Sequence, residues 1–464
     1  MTLLKTKIDF SIFTKYGVEF FLKNEIVPIY EDGISLTLAV CEDFDILNFK
    51  HNFVKHINFK RFEKREILFL LLDIEIKISL YEKAKSALKL NSENLSTASF
   101  LDSLILFSIE KRASDIHIES YENLTLFKFR VDGKLNIFFS FSIEFFKIIS
   151  SYIKLICNLD MTQTRLPLDG RFSRVIENKK YDFRFSSMPT IDAESIVLRI
   201  LDNKNIDKSL QTLGFSQNIY DSLKNILKLK SGLILISGPT GSGKTTTLYS
   251  ILKELNSEDK KIITVEDPVE YKIPSINQIS VDNKIGLSFE LVLKNILRQD
   301  PDIIFIGEIR DKFSLDIALQ ASLTGHLVLA SIHSNSSLET ITRLLHLQAD
   351  PYLISTSLKA SLAQRLVLSF CKYCQAQGCK KCNYTKFYER VCIAELLLVD
   401  EVIASLIFKK ASSQEFWQYL KTINYKTMLD DGLLKVKNSE TSIEELEKLV
   451  CINEKIQHNI SKKW

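Results

Sequence analysis

The second half of the chain alternates short apolar runs with longer segments of helical periodicity. The apolar runs lie at residues 233–236, 262–265, 303–306 and 327–329. A strand buried in a parallel sheet has a continuous apolar sequence, and the helices that connect such strands cover both faces of the sheet. We therefore predict an α/β domain over residues 206–464, with a mostly parallel sheet, flanking helices and further helices at its C-terminal end.

Residues 96–205 follow a different pattern. Apolar and polar residues alternate over 116–118 and 124–129, and Asp132-Gly133 then supplies a turn signal. Alternation with a period of two predicts short antiparallel strands with one buried face. Because a segment of helical periodicity precedes these strands, we predict an α+β domain here.

The first 90 residues and the segment after them are less informative. Residues 1–90 are rich in Phe, Ile and Lys and carry no chemical motif, so we assign them to a small N-terminal region of undisclosed role. The polar stretch NSENLSTAS at 91–99 contains Leu95 as its one large apolar residue. Such a stretch predicts a linker or domain boundary.

Length and composition indicate a globular protein of several domains. At about 150 residues per domain, the 464 residues suggest about three folded units. Hydrophobic residues make up 45% and charged residues 25%, which excludes a disordered or fibrous chain. The net charge is only +4, and the sequence shows neither a basic stripe nor a set of stacking aromatic residues. We therefore expect no direct nucleic-acid partner.

The sequence predicts a cytoplasmic protein. No run reaches the about 18 apolar residues that a membrane-spanning helix needs, and the nearest one, at 67–72, stops at Asp73. Asp9 lies where a signal peptide would have its apolar core, and no small-residue cleavage site follows. Eight cysteines are too few for a disulfide scaffold, and four of them lie within 371–382, which favours metal binding in a reducing compartment.

Residues 238–246, GPTGSGKTT, fit the phosphate-loop pattern G-x-x-x-x-G-K-[ST] in full. The loop follows an apolar run and precedes a helical stretch that begins at Thr247, which is the context that this motif requires. Glycines let the backbone curl so that its N–H groups and a helix N-terminus point at phosphate oxygens. We predict that Lys244 contacts the β- and γ-phosphates and that the Thr245 hydroxyl binds Mg²⁺. The predicted nucleotide-binding residues are Gly238, Pro239, Thr240, Gly241, Ser242, Gly243, Lys244, Thr245 and Thr246.

Glu308 follows the apolar run at 303–306 and would emerge at the carboxyl end of that strand. Ligands of doubly wound sheets bind at this edge, so Glu308 can face the phosphate loop. There it can polarise the attacking water or hold Mg²⁺ through its hydration shell. The alternative is a solvated acid that merely closes the strand.

Two other strands carry candidate residues at the same edge. Glu266 and Asp267 end the run at 262–265 and fit either Mg²⁺ ligands or a polar loop equally well. His333 follows the last apolar run and is our candidate for sensing the γ-phosphate. His326, at the other end of that run, is better explained as a hydrogen-bonded structural residue.

Cys371, Cys374, Cys379 and Cys382 form two C-x-x-C pairs within CKYCQAQGCKKC. Four thiolates suit tetrahedral Zn²⁺. The spacer QAQG is short, but Gly378 permits a tight reversal between the pairs. A redox dithiol pair and unliganded thiols are the alternatives. Because no open coordination position or catalytic base is evident, we predict a structural zinc subdomain at about 366–395.

A series of segments, in this order along the chain, resembles the secretion ATPase superfamily. With the cysteine cluster, the series is most similar to the assembly ATPases of type II secretion systems and type IV pili, over roughly residues 96–450. The segments are RASDIHIE at 112–119, RLPLDGR at 165–171, FRFSSMPTIDAESIVLRIL at 183–201, GPTGSGKTTTLY, ITVEDPVEY, LRQDPDIIFIGEIRD, LTGHLVLASIHSN and LAQRL.

The resemblance implies a RecA-like P-loop ATPase domain that hydrolyses ATP with Mg²⁺ and assembles as a homo-hexamer. It implies that the hexamer moves an inner-membrane platform protein, and that the protein is cytoplasmic and peripherally associated with the inner membrane. A membrane-linked adaptor is a further implied partner. The first 90 residues match the family's adaptor-binding region poorly, however, so they leave the identity of the docking partner open.

The matching motifs also make Arg171 and Arg184 candidates for reaching the nucleotide, with Arg298 and Arg310 as weaker ones. An added arginine can contribute about 10³–10⁵ in rate to phosphoryl transfer. Each of these arginines also fits a salt bridge at the surface or between domains. The full set of predicted catalytic residues is Glu308, Lys244, Glu266, His333, Arg171 and Arg184.

The leading hypothesis is a motor that assembles pseudopili or type IV pili for protein secretion, pilus biogenesis or DNA uptake. Leu168 and Ala193 replace a Gln and a Gly that are usual in this family, and neither change removes a catalytic group. A pilus retraction ATPase is one alternative, although that branch generally lacks paired C-x-x-C knuckles. A nucleotide-gated scaffold and a DNA translocase are the others.

Overall fold

The structure is a computed structural model that describes residues 3–89, 94–201 and 208–449. The chain forms two compact units. The first unit comprises Met1–Asp202 with Cys371–Tyr388, and the second comprises Asn203–Phe370 with Glu389–Trp464. The cysteine cluster thus belongs to the first unit. The predicted boundaries after residue 90 and at 205–206 fall on residues outside the described ranges, and the three-part division stays a prediction.

The N-terminal part of the first unit is a small mixed sheet with helices around an aromatic core. Strand β2 pairs antiparallel with β1 and parallel with β3. Phe10, Phe13 and Phe21 are buried, and the ring centroids of Phe13 and Phe21 lie 5.0 Å apart. The elements are α1 (Ser11–Tyr16), α2 (Val18–Asn24), β1 (Val27–Glu31), β2 (Ser35–Cys41), β3 (His56–Phe62), α3 (Lys64–Leu71) and α4 (Ile74–Lys89).

The rest of the first unit's N-terminal segment is the predicted α+β fold. Its six strands form an antiparallel sheet in the order β6-β5-β4-β9-β8-β7, and the predicted turn at Asp132-Gly133 joins β5 to β6. One sheet face is apolar and fully buried, as at Ile116, Phe127 and Leu198. The elements are α5 (Asn94–Glu110), β4 (Ala113–Tyr121), β5 (Leu124–Val131), β6 (Lys134–Ser142), α6 (Glu144–Ile156), β7 (Leu168–Ile176), β8 (Lys179–Pro189) and β9 (Glu194–Leu201).

The linker that we predicted over residues 91–99 was wrong from Asn94 onward, because α5 begins there. Asn, Ser and Thr are weak helix formers, but tertiary burial overrides such small preferences. Thr97 is only 3% exposed, and Phe100 one turn later is fully buried. Residues 91–93 lie outside the described part of the chain.

The second unit has the predicted α/β architecture. Its sheet has the order β12-β11-β13-β14-β10-β15-β16, and the pairs from β12 through β15 are parallel. The elements are α7 (Gln217–Ile226), β10 (Gly232–Ser237), α8 (Lys244–Leu255), β11 (Ile262–Glu266), β12 (Asn277–Ser280), α9 (Phe289–Ile296), β13 (Ile303–Ile306), α10 (Lys312–Leu323), β14 (Leu327–Ile332), α11 (Ser337–His346), α12 (Pro351–Ser357), β15 (Leu358–Phe370), β16 (Phe387–Leu398), α13 (Glu401–Phe408), α14 (Ser413–Thr422), α15 (Met428–Lys437) and α16 (Ile443–Glu447).

The four predicted apolar strands form the centre of this sheet. Every residue of β10, β11, β13 and β14 is buried, which explains their continuous apolar sequences. Because these strands are parallel neighbours, their carboxyl ends lie along one edge of the sheet. Among the described residues, no helix is both long enough and apolar enough to cross a membrane.

Candidate nucleotide site

The phosphate loop connects the carboxyl end of β10 to the first turn of α8. Gly238, Gly241 and Gly243 have φ angles of 146°, 79° and 90°, in the region that only glycine adopts easily. A Cβ atom at Gly238 would lie 2.5 Å from the backbone oxygen of Gln364 and 2.5 Å from Oγ of Ser242. The loop can therefore keep this close packing only with glycine at 238. The helix N-terminus that follows, at Lys244, carries the partial positive charge that favours a phosphate.

Lys244 lies over the start of this loop. Its ammonium group donates hydrogen bonds to the backbone oxygens of Gly238 at 2.6 Å and Pro239 at 3.2 Å. Burial lowers the pKa of Lys244, and the negative charge of Glu308 opposes that shift. Glu308 comes after β13, and only β14 separates β13 from β10 in the parallel sheet, so the predicted acid lies at the same sheet edge as the loop.

Glu308 lies two residues after the end of β13 and is held from two sides. Its Oε1 lies 2.8 Å from Nε2 of His333, which follows the neighbouring strand β14. Its Oε2 accepts a hydrogen bond of 2.6 Å from Nε of Arg310. The same guanidinium group lies 3.8 Å from the carboxylate of Asp267, which follows β11. Residues from three strand ends thus meet around Glu308 and Arg310, and the hydrogen bond to Glu308 raises the pKa of Arg310.

Glu266 occupies a more enclosed position at the end of β11. It is 4% exposed, and its carboxylate accepts hydrogen bonds from the Tyr249 hydroxyl, from Oγ1 of Thr264 at 2.6 Å and from Nε2 of Gln278 at 3.4 Å. Burial raises its pKa. These partners anchor Glu266 within the second unit, and its catalytic role stays a prediction.

The chain is similar to known proteins of secretion systems. A family model described as "Type II/IV secretion system protein" matches residues 91–448. Type II secretion system ATPase E of Vibrio cholerae serotype O1 is 40% identical over 364 residues, which cover 73% of this chain and 72% of that protein. Type II secretion system protein HxcR of Pseudomonas aeruginosa is 39% identical over 354 residues, with 75% and 76% covered. The chain belongs to this family of secretion system proteins.

Two solved structures share the fold. The pilus retraction motor PilT with bound ADP matches with a TM-score of 0.57 at 25% identity, over 77% of this chain and 98% of that chain. The Legionella pneumophila ATPase DotB matches with a TM-score of 0.62 at 24% identity, over 75% and 94%. The predicted family and the predicted RecA-like α/β fold are both confirmed.

Gln364 is a further residue of the site. Sequence reasoning gave it no role. Its amide bridges the loop and the helix after it: Nε2 donates to the backbone oxygen of Ser242 at 2.8 Å, and Oε1 accepts from the Thr247 hydroxyl at 2.8 Å. Gln364 is only 1% exposed. The sequence feature that could have indicated this role is a polar residue within the apolar strand pattern of LAQRL. A buried side-chain amide needs hydrogen-bond partners, so such a residue is expected to bridge other segments.

The remaining loop residues and the two histidines differ in their surroundings. Thr240 and Thr245 are exposed, so the Thr245 hydroxyl is open to an ion. His333 is half-exposed beside Glu308. His326 lies before β14, with its Nδ1 2.9 Å from the backbone oxygen of Ala321. His326 is therefore hydrogen-bonded, and its structural role stays a prediction.

Arg171 and Arg184 lie in the first unit of this secretion system protein. The two residues are directly opposite each other on strands β7 and β8. Arg171 is exposed, and Arg184 is partly buried. The structure thus brings these two arginines together on one sheet, and their role toward a nucleotide stays a prediction.

The four cysteines form a compact cluster. Their sulfur atoms all lie within 4.8 Å of one another. The pairs Cys371–Cys379, Cys374–Cys382 and Cys379–Cys382 are 3.9, 3.8 and 3.9 Å apart. A tetrahedral Zn²⁺ with Zn–S bonds of about 2.3 Å needs sulfur atoms about 3.8 Å apart, so the cluster fits this ion. Gly378, at φ 99°, makes the predicted reversal, and its amide donates to Sγ of Cys374 at 3.3 Å.

Proposed function

We propose that this chain is a motor that hydrolyses Mg-ATP to drive pseudopilus or type IV pilus assembly, as in type II secretion. The observation that carries the proposal is the meeting of the phosphate loop and Glu308 at one edge of a parallel sheet. The confirmed family supports the same reading, because the related protein of Vibrio cholerae is named an ATPase. The loop alone would support only nucleotide binding.

Each residue of the edge has a part in this proposal. The loop amides and Lys244 bind the phosphates, and Thr245 supplies a hydroxyl ligand to Mg²⁺, which neutralises charge on the phosphate oxygens. Glu308 orients and deprotonates the attacking water. His333 and Arg310 fix the two oxygens of Glu308, and Gln364 keeps the loop in register with α8.

The proposal is tested by phosphate release from ATP with the purified full chain. We expect release with Mg²⁺ and at most a trace with excess EDTA, because the metal carries much of the charge stabilisation in phosphoryl transfer. Addition of single- or double-stranded DNA should leave the rate unchanged. Release that is absent under all conditions would favour a nucleotide-gated scaffold, and strong stimulation by DNA would favour a translocase.

We further propose that the chain works as a homo-hexamer beside the inner membrane, where it moves a platform protein and contacts a membrane-linked adaptor. These assignments rest on the family and on the sequence motifs. Arg171 and Arg184 are proposed to approach the nucleotide, and Glu266 to support the edge from within the sheet. We prefer pilus assembly to pilus retraction because retraction ATPases generally lack paired C-x-x-C knuckles, which this chain has.

We propose that the cysteine cluster binds one structural Zn²⁺ per chain. Elemental analysis of the full chain should find one zinc, and Cys382→Ser should lower the content to well under half, because it removes one of four thiolate ligands. Cys392→Ser is the matched control, since Cys392 is also a buried thiol but lies outside the cluster. Wild-type protein without zinc, or full zinc content in Cys382→Ser, would contradict this assignment.

A further inference from the structure

Glu395 is a buried acid of the second unit. It lies on β16 and is only 5% exposed. Its Oε1 accepts a hydrogen bond of 2.6 Å from the backbone N–H of Ser337, the first residue of α11. Its Oε2 accepts one of 2.9 Å from the backbone N–H of Met428, the first residue of α15. The N–H groups in the first turn of a helix have no partner within that helix. One carboxylate therefore caps the N-termini of two helices.

These contacts stabilise the negative charge of Glu395. Burial raises the pKa of Glu395, and the two backbone hydrogen bonds oppose that shift. Both helices also direct the positive ends of their dipoles at the carboxylate. A buried carboxylate is costly unless hydrogen bonds satisfy it. The carboxylate and the two helix starts therefore hold one another in place.

The side chain of Ser337 ties the same helix start to the sheet. Ser337 is fully buried. Its Oγ lies 2.8 Å from the backbone oxygen of Ser361 on β15 and 3.0 Å from that of Glu395. It also accepts a hydrogen bond of 3.1 Å from the backbone N–H of Ala363. The start of α11 is thus fixed to β15 and β16 through both its backbone and its side chain.

The start of α11 is also close in sequence to the catalytic edge. Strand β14 ends at Ile332, and only residues 333–336 join it to α11. His333 lies in this connection, and its Nε2 is 2.8 Å from Oε1 of Glu308. So short a connection has little slack, because each residue spans only a few ångströms. A displacement of Ser337 therefore reaches His333.

We propose that Glu395 is a positioning residue for ATP hydrolysis, because by capping α11 it holds His333 against Glu308. Glu395 acts through the connection between β14 and α11 and not on the nucleotide. The inference rests on the proposed function, in which Glu308 activates the attacking water. Through its second oxygen, Glu395 also links the start of α15 to the catalytic edge.

The test measures ATP turnover by the full chain with Glu395→Gln. The amide keeps the shape of the side chain, but its NH2 group cannot accept a hydrogen bond, so one of the two helix starts loses its cap. We expect kcat to fall about tenfold or more, because a misplacement of about 1 Å can cost about 10² in rate. The KM for ATP should stay within about twofold, since the change leaves the phosphate loop as it is.

His333→Ala separates positioning from a general loss of stability. It should also lower kcat, because Glu308 loses one of its two partners. If Glu395 acts through His333, the double variant should have a kcat within about twofold of His333→Ala, since residues that act as a unit are not additive. Losses that multiply in the double variant, or an unchanged kcat in either single variant, would overturn the inference.

Asp431→Asn is the matched control. Asp431 lies on α15, is 6% exposed, and its Oδ2 accepts a hydrogen bond of 2.9 Å from the backbone N–H of Ala394, the neighbour of Glu395. This bond joins α15 to β16 but does not include α11. Asp431→Asn should lower the melting temperature, because a buried hydrogen bond is weakened. Its kcat should stay within about twofold of wild type. An equal fall of kcat in Asp431→Asn and Glu395→Gln would count against positioning.

A second variant covers the case in which Glu395→Gln does not fold, as judged by circular dichroism. Ser337→Ala removes only the hydroxyl at the same helix start. It should lower kcat at least about threefold with KM unchanged, since the same connection is loosened. A wild-type kcat in a folded Ser337→Ala chain would refute the positioning role.

NMR provides a readout that needs no hydrolysis. The ring ¹H–¹³C signal of His333, identified by its loss in His333→Ala, should move in Glu395→Gln or Ser337→Ala and stay in place in Asp431→Asn. An unmoved signal in the first two variants would overturn the inference. A wild-type chain that releases no phosphate from ATP would refute the proposed function, and the NMR comparison would still decide whether Glu395 positions His333.

Discussion

Lys244→Ala should abolish ATP turnover, with a fall in kcat of at least about 10²–10³, the cost of removing one preorganised group that stabilises transition-state charge. Lys244 is the cation that lies over the loop, where its ammonium group contacts the carbonyls of Gly238 and Pro239. Its charge acts on bound phosphates as well as on the transition state, so the affinity for ATP should also fall. Phosphate release and nucleotide titration measure the two effects separately.

Lys260→Ala is the matched control for this variant. Lys260 lies in the same unit, in the exposed segment after α8, and its removal takes away the same charge far from the loop. Its turnover should stay within about twofold of the wild type, because isolated surface charges contribute little. Equal losses in both variants would indicate a general effect of charge, and undiminished turnover in Lys244→Ala would defeat the motor hypothesis.

The local parts of the site could be predicted from the sequence because their chemistry lies in consecutive residues. The phosphate loop contains its glycines, lysine and hydroxyl within nine positions, between a strand and a helix. The placement of Glu308 and His333 at one sheet edge could also be predicted, because parallel strands bring their carboxyl ends to the same edge. Their direct contact depends on β13 lying beside β14, and no sequence pattern specifies that order.

Contacts between distant segments could not be predicted. Gln364 reaches Thr247 across 117 positions, and its bridge exists only because β15 pairs with β10. Residues 3–89 fold around aromatic packing, which many topologies can satisfy and which therefore has no sequence signature.

The linker prediction failed for a related reason. Polar composition over 91–99 reports the intrinsic preference of the backbone, whereas burial of Thr97 and of the apolar residues after it depends on the sheet against which α5 packs. Burial of a whole apolar helix face outweighs local backbone preferences, because each buried large side chain contributes about 1.5–3 kcal/mol to stability.

Glu308→Gln should separate binding from chemistry. The amide keeps the shape of the carboxylate, and its oxygen can still accept the hydrogen bond from Nε of Arg310 while its NH2 group faces Nε2 of His333, but it cannot accept the proton of the attacking water. We expect kcat to fall about 10²–10⁴-fold, the usual contribution of a general base, with ATP affinity within a few-fold of wild type. Glu290→Gln is the matched control, since Glu290 is an exposed acid on α9 that pairs with Lys294. Single-turnover hydrolysis and nucleotide titration provide the two readouts. A kcat within about threefold of wild type would mean that Glu308 only closes its strand, and a large loss of affinity would instead make it a metal-binding residue.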